Sequence, residues 1–224
     1  MKASSKYMSA IALILFIVVF NSIIIRSNAN YDIHNDLYIP KGGEFSFGEF
    51  NYRVVKQETR NRRGELEITG YNPSYDENTD DGEFIGDYHY DIVGIADNAF
   101  KGNQYIRMFR FPGVHFRYIG KSAFEGCTNL RYFESNRDGL VKIKSRAFYG
   151  CRSLKKIHLV HNNLRYVGKN AFRDTNPRLK IITWNMSKEY IPKVKKLLKK
   201  AGAKKITFKM HFFNEEVEYD DPCH

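Results

Sequence analysis

Few side chains in this sequence have chemistry to offer, and they are scattered. Cysteines stand at 127, 151 and 223, and seven histidines are spread over 224 residues. Three thiols cannot build a four-cysteine zinc site, and no Cys-x-x-Cys occurs. There is no Gly-x-Ser-x-Gly, no His-Glu-x-x-His and no phosphate-binding glycine loop. The sequence therefore offers no catalytic residue, no cofactor site and no metal site, and the expectation is a protein that is not an enzyme. Asp76 to Gly82, with Asp87, sets alternate carboxylates as a calcium loop begins. Asp81 stands where an EF-hand needs glycine, Phe84 brings no side-chain oxygen, and Asp87 replaces glutamate. A solvated connecting loop is the expectation. The sequon Asn185-Met186-Ser187 matters only in a host that glycosylates secreted proteins.

Charge is the stronger signal. The formal net charge is +11. Residues 30–100 are net −9, residues 101–213 net +22, and residues 214–224 net −5. Such segregation points to an anionic partner for the middle zone or to pairing between zones.

The elements that position these groups follow from a repeat. Ala99-Phe100, Ala123-Phe124, Ala147-Phe148 and Ala171-Phe172 recur at steps of 24 residues. Four residues before each Ala stands Ile95, Ile119, Ile143 or Val167. After each Phe come Gly102, Gly126, Gly150 or Asp174, then Asn103, Cys127, Cys151 or Thr175. Leu follows at 130 and 154, with Ile at 106 and Leu179 displaced by one residue. A unit this short buries little apolar area alone, so the units must stack and shelter one another. Alternation such as Ile157-His158-Leu159 predicts a short strand with one face inward. Ala-Phe-x-Gly predicts a tight turn in which Ala allows close approach and Gly ends the turn at positive φ. Cys127 and Cys151 are expected to neighbour each other inside the stack as small apolar side chains, with a disulfide as the alternative in an oxidising compartment.

The pattern Ile-x-x-x-Ala-Phe-x-Gly-Cys-x-x-Leu-x-x-Ile-x-Leu, met almost fully from Ile143 to Leu159, resembles the BspA-like class of leucine-rich repeat. The resemblance implies an α+β solenoid of about four 24-residue repeats over residues 85–186. It also implies a secreted or surface protein used in adhesion and protein–protein contact, and carries no catalytic residues with it.

The flanks read as caps, which a stack needs at both open ends. Glu44–Phe47, Asn51–Val55 and Gly64–Gly70 read as strands of an N-terminal β-hairpin cap within residues 30–84. Downstream, residues 187–213 read as a helix-strand cap. Ser187 is expected to cap a helix running to Ala201, and Ile206, Phe208, Met210 and Phe212 alternate as a final strand. Residues 214–224 form an acidic tail holding Cys223. At the other end, Lys2 and Lys6 precede an apolar run, and Ser27-Asn28-Ala29 offers small residues for cleavage. Residues 1–29 read as a secretory signal peptide. The alternative is an uncleaved signal anchor crossing a membrane through residues 8–25. Either places the remainder outside the cytoplasm or on the cell surface.

The candidate ligand-binding surface is the outer strand face: Arg107, Met108, Arg110, Arg131, Tyr132, Lys155, Lys156 and His158. With Phe109, Phe133, Ile157 and Ile182 inward, Thr183 and Ile181 are expected outward in the last repeat, and Arg107, Arg131, Lys155 and Lys180 form a one-sign column at the strand edge. Two partners are weighed: a protein or glycan on a cell surface, and a polyanion such as sulfated glycan, lipopolysaccharide or nucleic acid drawn to the basic zone. The basic helix 188–200 is expected to be a solvated face.

Overall fold

The structure is a computed structural model, and it describes residues 39–59, 61–71, 90–111, 115–135 and 139–211. The expected signal segment, the acidic run 76–87 and the acidic tail with Cys223 lie outside these residues. The described residues belong to one compact unit, Ile39–His224. Among them, no helix is long and apolar enough to cross a membrane.

The described residues open with three antiparallel strands, β1 (Glu44–Phe47), β2 (Phe50–Lys56) and β3 (Gly64–Tyr71). Their period-2 pattern buries Tyr52, Val54, Leu66 and Ile68. Strand β3 then pairs in parallel with β4 (Tyr90–Ile95), which joins the cap to the repeats. A polar cluster pins that joint. Glu67, only 8% exposed, accepts from Arg53 Nη2 at 2.6 Å and from the Tyr118 hydroxyl at 2.8 Å. A buried carboxylate is tolerated because it is paired and hydrogen-bonded.

Each repeat then contributes one strand to each of two parallel arrays. The first array holds β6 (Tyr118–Ile119), β8 (Lys142–Ile143) and β10 (Tyr166–Val167), which extend the cap into a seven-stranded sheet of order β1-β2-β3-β4-β6-β8-β10. The second holds β5 (Met108–Arg110), β7 (Tyr132–Glu134), β9 (Lys156–Val160), β11 (Arg178–Trp184) and β12 (Lys205–His211), in the order β12-β11-β9-β7-β5. Between the sheets the phenylalanines stack as the period requires. Phe100–Phe124, Phe124–Phe148 and Phe148–Phe172 have ring centroids 5.1, 5.4 and 5.3 Å apart, and Phe109–Phe133 lies parallel at 5.7 Å. The architecture is the expected solenoid.

The tight turns repeat as faithfully as the core. Positive φ occurs at Asn98, Ser122, Arg146 and Asn170, and again at Gly102, Gly126, Gly150 and Asp174. Arg146 in this region is costly for a side chain with a Cβ. Its guanidinium binds Glu125 at 2.6 Å and lies 4.1 Å over the Tyr149 ring, which holds it there. That hydrogen bond pulls the Glu125 carboxyl down to about 2.

The C-terminal cap continues the stack. Phe100, Phe124 and Phe148 donate their amides to Ala123, Ala147 and Ala171 of the next rung, and Phe172 donates to Ala201 at 2.9 Å. Ala201 thus takes the place of the next repeat's alanine, and helix α1 (Ile191–Lys200) is a turn grown into a helix. Strand β12 pairs in parallel with β11, so five rungs share the sheet. Val194 and Leu198 face the core, and the lysines face out as expected. Two expectations fail. Ser187 does not cap α1, whose N-cap is Tyr190 with no side-chain cap bond; Ser187 is instead held by Asn162 of the preceding rung, at 3.0 Å from its amide. Ile181, fully buried, aligns with Ile157, so Thr183 points inward and Ile182 outward. The displaced Leu179 shifts the register by one residue, which exchanges the two faces of a strand.

Cys127 and Cys151 are buried free thiols. Each donates across the rungs, to the carbonyls of Phe100 and Phe124 respectively, at 2.9 Å. Burial pushes the Cys127 thiol up to about 12 and raises that of Cys151 further. The thiols act as rung-to-rung donors, and no disulfide joins them.

Candidate functional site

The outer face of the five-stranded sheet is built from alternate residues of five parallel strands. Register fixes its rows. One row runs Met108, Tyr132, Lys156, Lys180 and Thr207; the next runs Arg110, Glu134, His158, Ile182 and Lys209. On the last three strands a further row adds Val160, Trp184 and His211. Adjacent strands stand about 4.8 Å apart, so the face is rigid and its lateral spacing preset.

Two aromatic pairs lie on this face. Tyr132 meets the His158 ring edge-on at 4.9 Å, and Trp184 stacks on His211 at 5.1 Å. The charges around these pairs are mostly basic. Arg110 pairs with Glu134 at 3.2 Å. Lys156 and Lys180 stand side by side in register without a carboxylate partner among the described residues. Like charges directly opposed on a sheet repel, so an acidic group from a partner would relieve a strain already present.

His158 is the least comfortable group on the face. Burial, then the positive charges of His211, Lys156 and Arg110, lower its pKa to about 4. Its Nδ1 has no partner among the described residues. The imidazole is therefore neutral when folded, whereas the unfolded chain takes up its proton near pH 6.5. Its contribution to stability is complete above pH 6.5 and is lost as pH falls towards 4. We expect the wild type to lose about 3 °C or more of Tm beyond His158→Gln between pH 7.5 and pH 5. Equal losses in thermal unfolding would show a solvated histidine.

The structure places the candidate residues unequally. Met108 and Arg110 are exposed, Lys156 and His158 are half-buried, and all lie on the outer face. Tyr132 also lies there but is 5% exposed, flanked in register by Met108 and Lys156, with the His158 ring edge-on to it and its hydroxyl donating to Glu134 at 3.0 Å; it supports the face more than it presents it. Arg107, Arg131 and Lys155 form the expected exposed edge column, linked by Arg131 and Lys155 amides donating to the preceding rung at 2.7 and 2.9 Å. The column stops at three members. Leu179 fills the fourth position in the core, and Lys180 moves onto the face beside Lys156. The sequence reading missed Trp184 and His211. Ile182 was expected inward, which leaves no place for Trp184 on the outer face; the displaced Leu179 is the signal that reverses it.

Among the described residues no three His, Cys, Asp or Glu side chains gather to hold a metal ion. The arrangement offers shape, aromatic surface and positive charge.

Residues 89–208 match the BspA type leucine rich repeat region in six copies. No curated protein matches the chain. A solved leucine-rich repeat protein from Bacteroides capillosus is 19% identical, aligned over 64% of this chain and 98% of that one, with a TM-score of 0.44. One from Bacteroides ovatus is 23% identical over 62% of this chain and 37% of that one, at 0.43. The leucine rich repeat protein of T. pallidum is 24% identical over 60% and 68%, at 0.34.

Proposed function

The chain belongs to the BspA-type leucine-rich repeat family, and from that premise we propose that it is a secreted or membrane-tethered binding protein that attaches to a protein on a cell surface and catalyses no reaction. Recognition uses the outer face of the five-stranded sheet. One observation carries this reading: Trp184 and His158, half-buried on the outer face and backed by the buried His211 and Tyr132, are bordered by Met108 and by arginines and lysines. Protein interfaces concentrate aromatic residues, Met and Arg in this way, with charge at the rim. Because the stack fixes the face in advance, little ordering entropy is lost on contact. The pairing of Lys156 with Lys180 selects an acidic counter-surface.

The test is attachment of the labelled chain to a panel of bacterial and animal cells. We expect protease treatment of the cells to abolish attachment, and Trp184→Ala to weaken it by about tenfold or more, as loss of an aromatic anchor does. Undiminished attachment to protease-treated cells would replace the protein partner with another class of receptor.

A further inference from the structure

The seven-stranded sheet carries a second surface on which the strand-face reading does not depend. Its two-residue strands stack Tyr118, Lys142 and Tyr166 in register, one per rung. Lys142 Nζ lies 5.4 Å from the Tyr166 ring centroid, and Lys144 Nζ lies 5.5 Å from that of Tyr118. Beside Tyr166 in the chain, Arg165 lies 5.8 Å over the Tyr190 ring, and Lys193 of α1 lies over the same ring at 5.1 Å. Each of the three rings thus holds at least one cation. A cation over a ring is attracted by the ring quadrupole, so the tyrosines fix where the ammonium and guanidinium groups stand.

The cations along this strip are not equally satisfied. Lys144 already binds Asp97 at 2.8 Å, and the Tyr118 hydroxyl is bound to Glu67, so that end is neutralised. Lys142, Arg165 and Lys193 are exposed and have no carboxylate partner among the described residues. Residues 139–211 contain two acids, Asp174 and Glu189. Asp174 faces Arg173 at 3.9 Å; Glu189 precedes Tyr190 and is the one carboxylate beside the strip in sequence.

We propose that Lys142, Arg165 and Lys193, held by Tyr166 and Tyr190, bind a linear sulfated glycan. Sulfate oxygens accept hydrogen bonds from guanidinium and ammonium groups with the strength of charge-assisted bonds. Lys142 and Arg165 come from successive rungs, whose strands stand about 4.8 Å apart, and Lys193 comes from α1, so the three suit an anionic chain laid along the stack. A single-stranded nucleic acid fits less well, because it draws affinity from bases stacked on open aromatic faces, and here the ring faces carry cations.

The test is calorimetric binding of the full chain to a heparin-derived octasaccharide at two salt concentrations. We expect the triple variant Lys142→Gln, Arg165→Gln, Lys193→Gln to bind about tenfold more weakly and with a shallower salt dependence. Tyr166→Leu keeps every charge, yet we expect it to weaken binding about threefold by releasing Lys142. Arg107→Glu, Arg131→Glu and Lys155→Glu together should leave affinity within about twofold at high salt, where distant charges are screened. The proposal is overturned if the triple glutamine variant binds like wild type, or if the glutamate variant loses as much. It is overturned equally if an oligodeoxythymidine or an anionic vesicle binds as tightly as the octasaccharide through the same residues. Trp184→Ala reports on the strand face alone, so the two surfaces fail or stand separately.

Discussion

Phe148→Ala should destabilise the protein by about 3–5 kcal/mol, more than any exposed substitution. The ring is fully buried and sits between Phe124 and Phe172, with Phe133 packed edge-on at 5.2 Å. Truncation removes the contacts of two neighbouring rungs at once and leaves a cavity that three other rings line. The backbone cannot collapse into it, because the Phe148 amide is bonded to Ala171 and the Phe124 amide to Ala147. In thermal unfolding this corresponds to a fall in Tm of roughly 10 °C. Tyr105→Ala, at a ring 91% exposed, serves as the control and should move stability by no more than about 0.5 kcal/mol. A loss under about 1 kcal/mol at Phe148 would mean that the rungs do not depend on one another, contrary to the physics of a stack.

Gly120→Ala should be the second severe change, for the opposite reason. A Cβ at Gly120 would lie 2.3 Å from the carbonyl carbon and oxygen of Ala96 and 2.5 Å from the amide nitrogen of Asp97. These atoms are backbone of the preceding rung, held by Ala96 donating to Ile68 at 2.8 Å. They cannot turn aside as a flexible side chain would. The rungs must separate locally, at a cost of about 3 kcal/mol, the upper part of the overpacking range. Gly168→Ala meets Ser145 and Lys144 backbone at 2.4 and 2.7 Å and should behave alike. By contrast, Asp174→Gly should gain about 0.5–1 kcal/mol, because Asp174 already holds φ 59°. Chemical denaturation of the three variants checks the ordering; a neutral Gly120→Ala would show that the rung spacing yields.

The phenylalanine ladder was legible because its signal is repeated: four residues in phase outweigh any single propensity. The turn glycines were legible for the same reason. Where one repeat departed from the period, legibility failed. In Ile181-Ile182-Thr183-Trp184 either alternation buries something apolar, and only Leu179, read as a strand residue, selects Ile181 for the core. Ser187 looked like a helix cap because local sequence favours that role; its partner, Asn162, comes from another rung and leaves no local trace. Tyr132 was correctly set on the outer face, but its burial depends on neighbours from two other strands. The roles of Gly120 and Gly168 were likewise hidden, because inter-rung clearance is a property of pairs of repeats.

The corner bonds that run from each phenylalanine amide to the alanine of the following turn have an evolutionary consequence. Every rung offers the same donor forward and the same acceptor backward. A repeat duplicated or deleted in phase therefore leaves no orphaned amide at the seam, and the ends keep their closures. Reach along the stack can change by about 4.8 Å per gene-level insertion without redesign of what lies on either side.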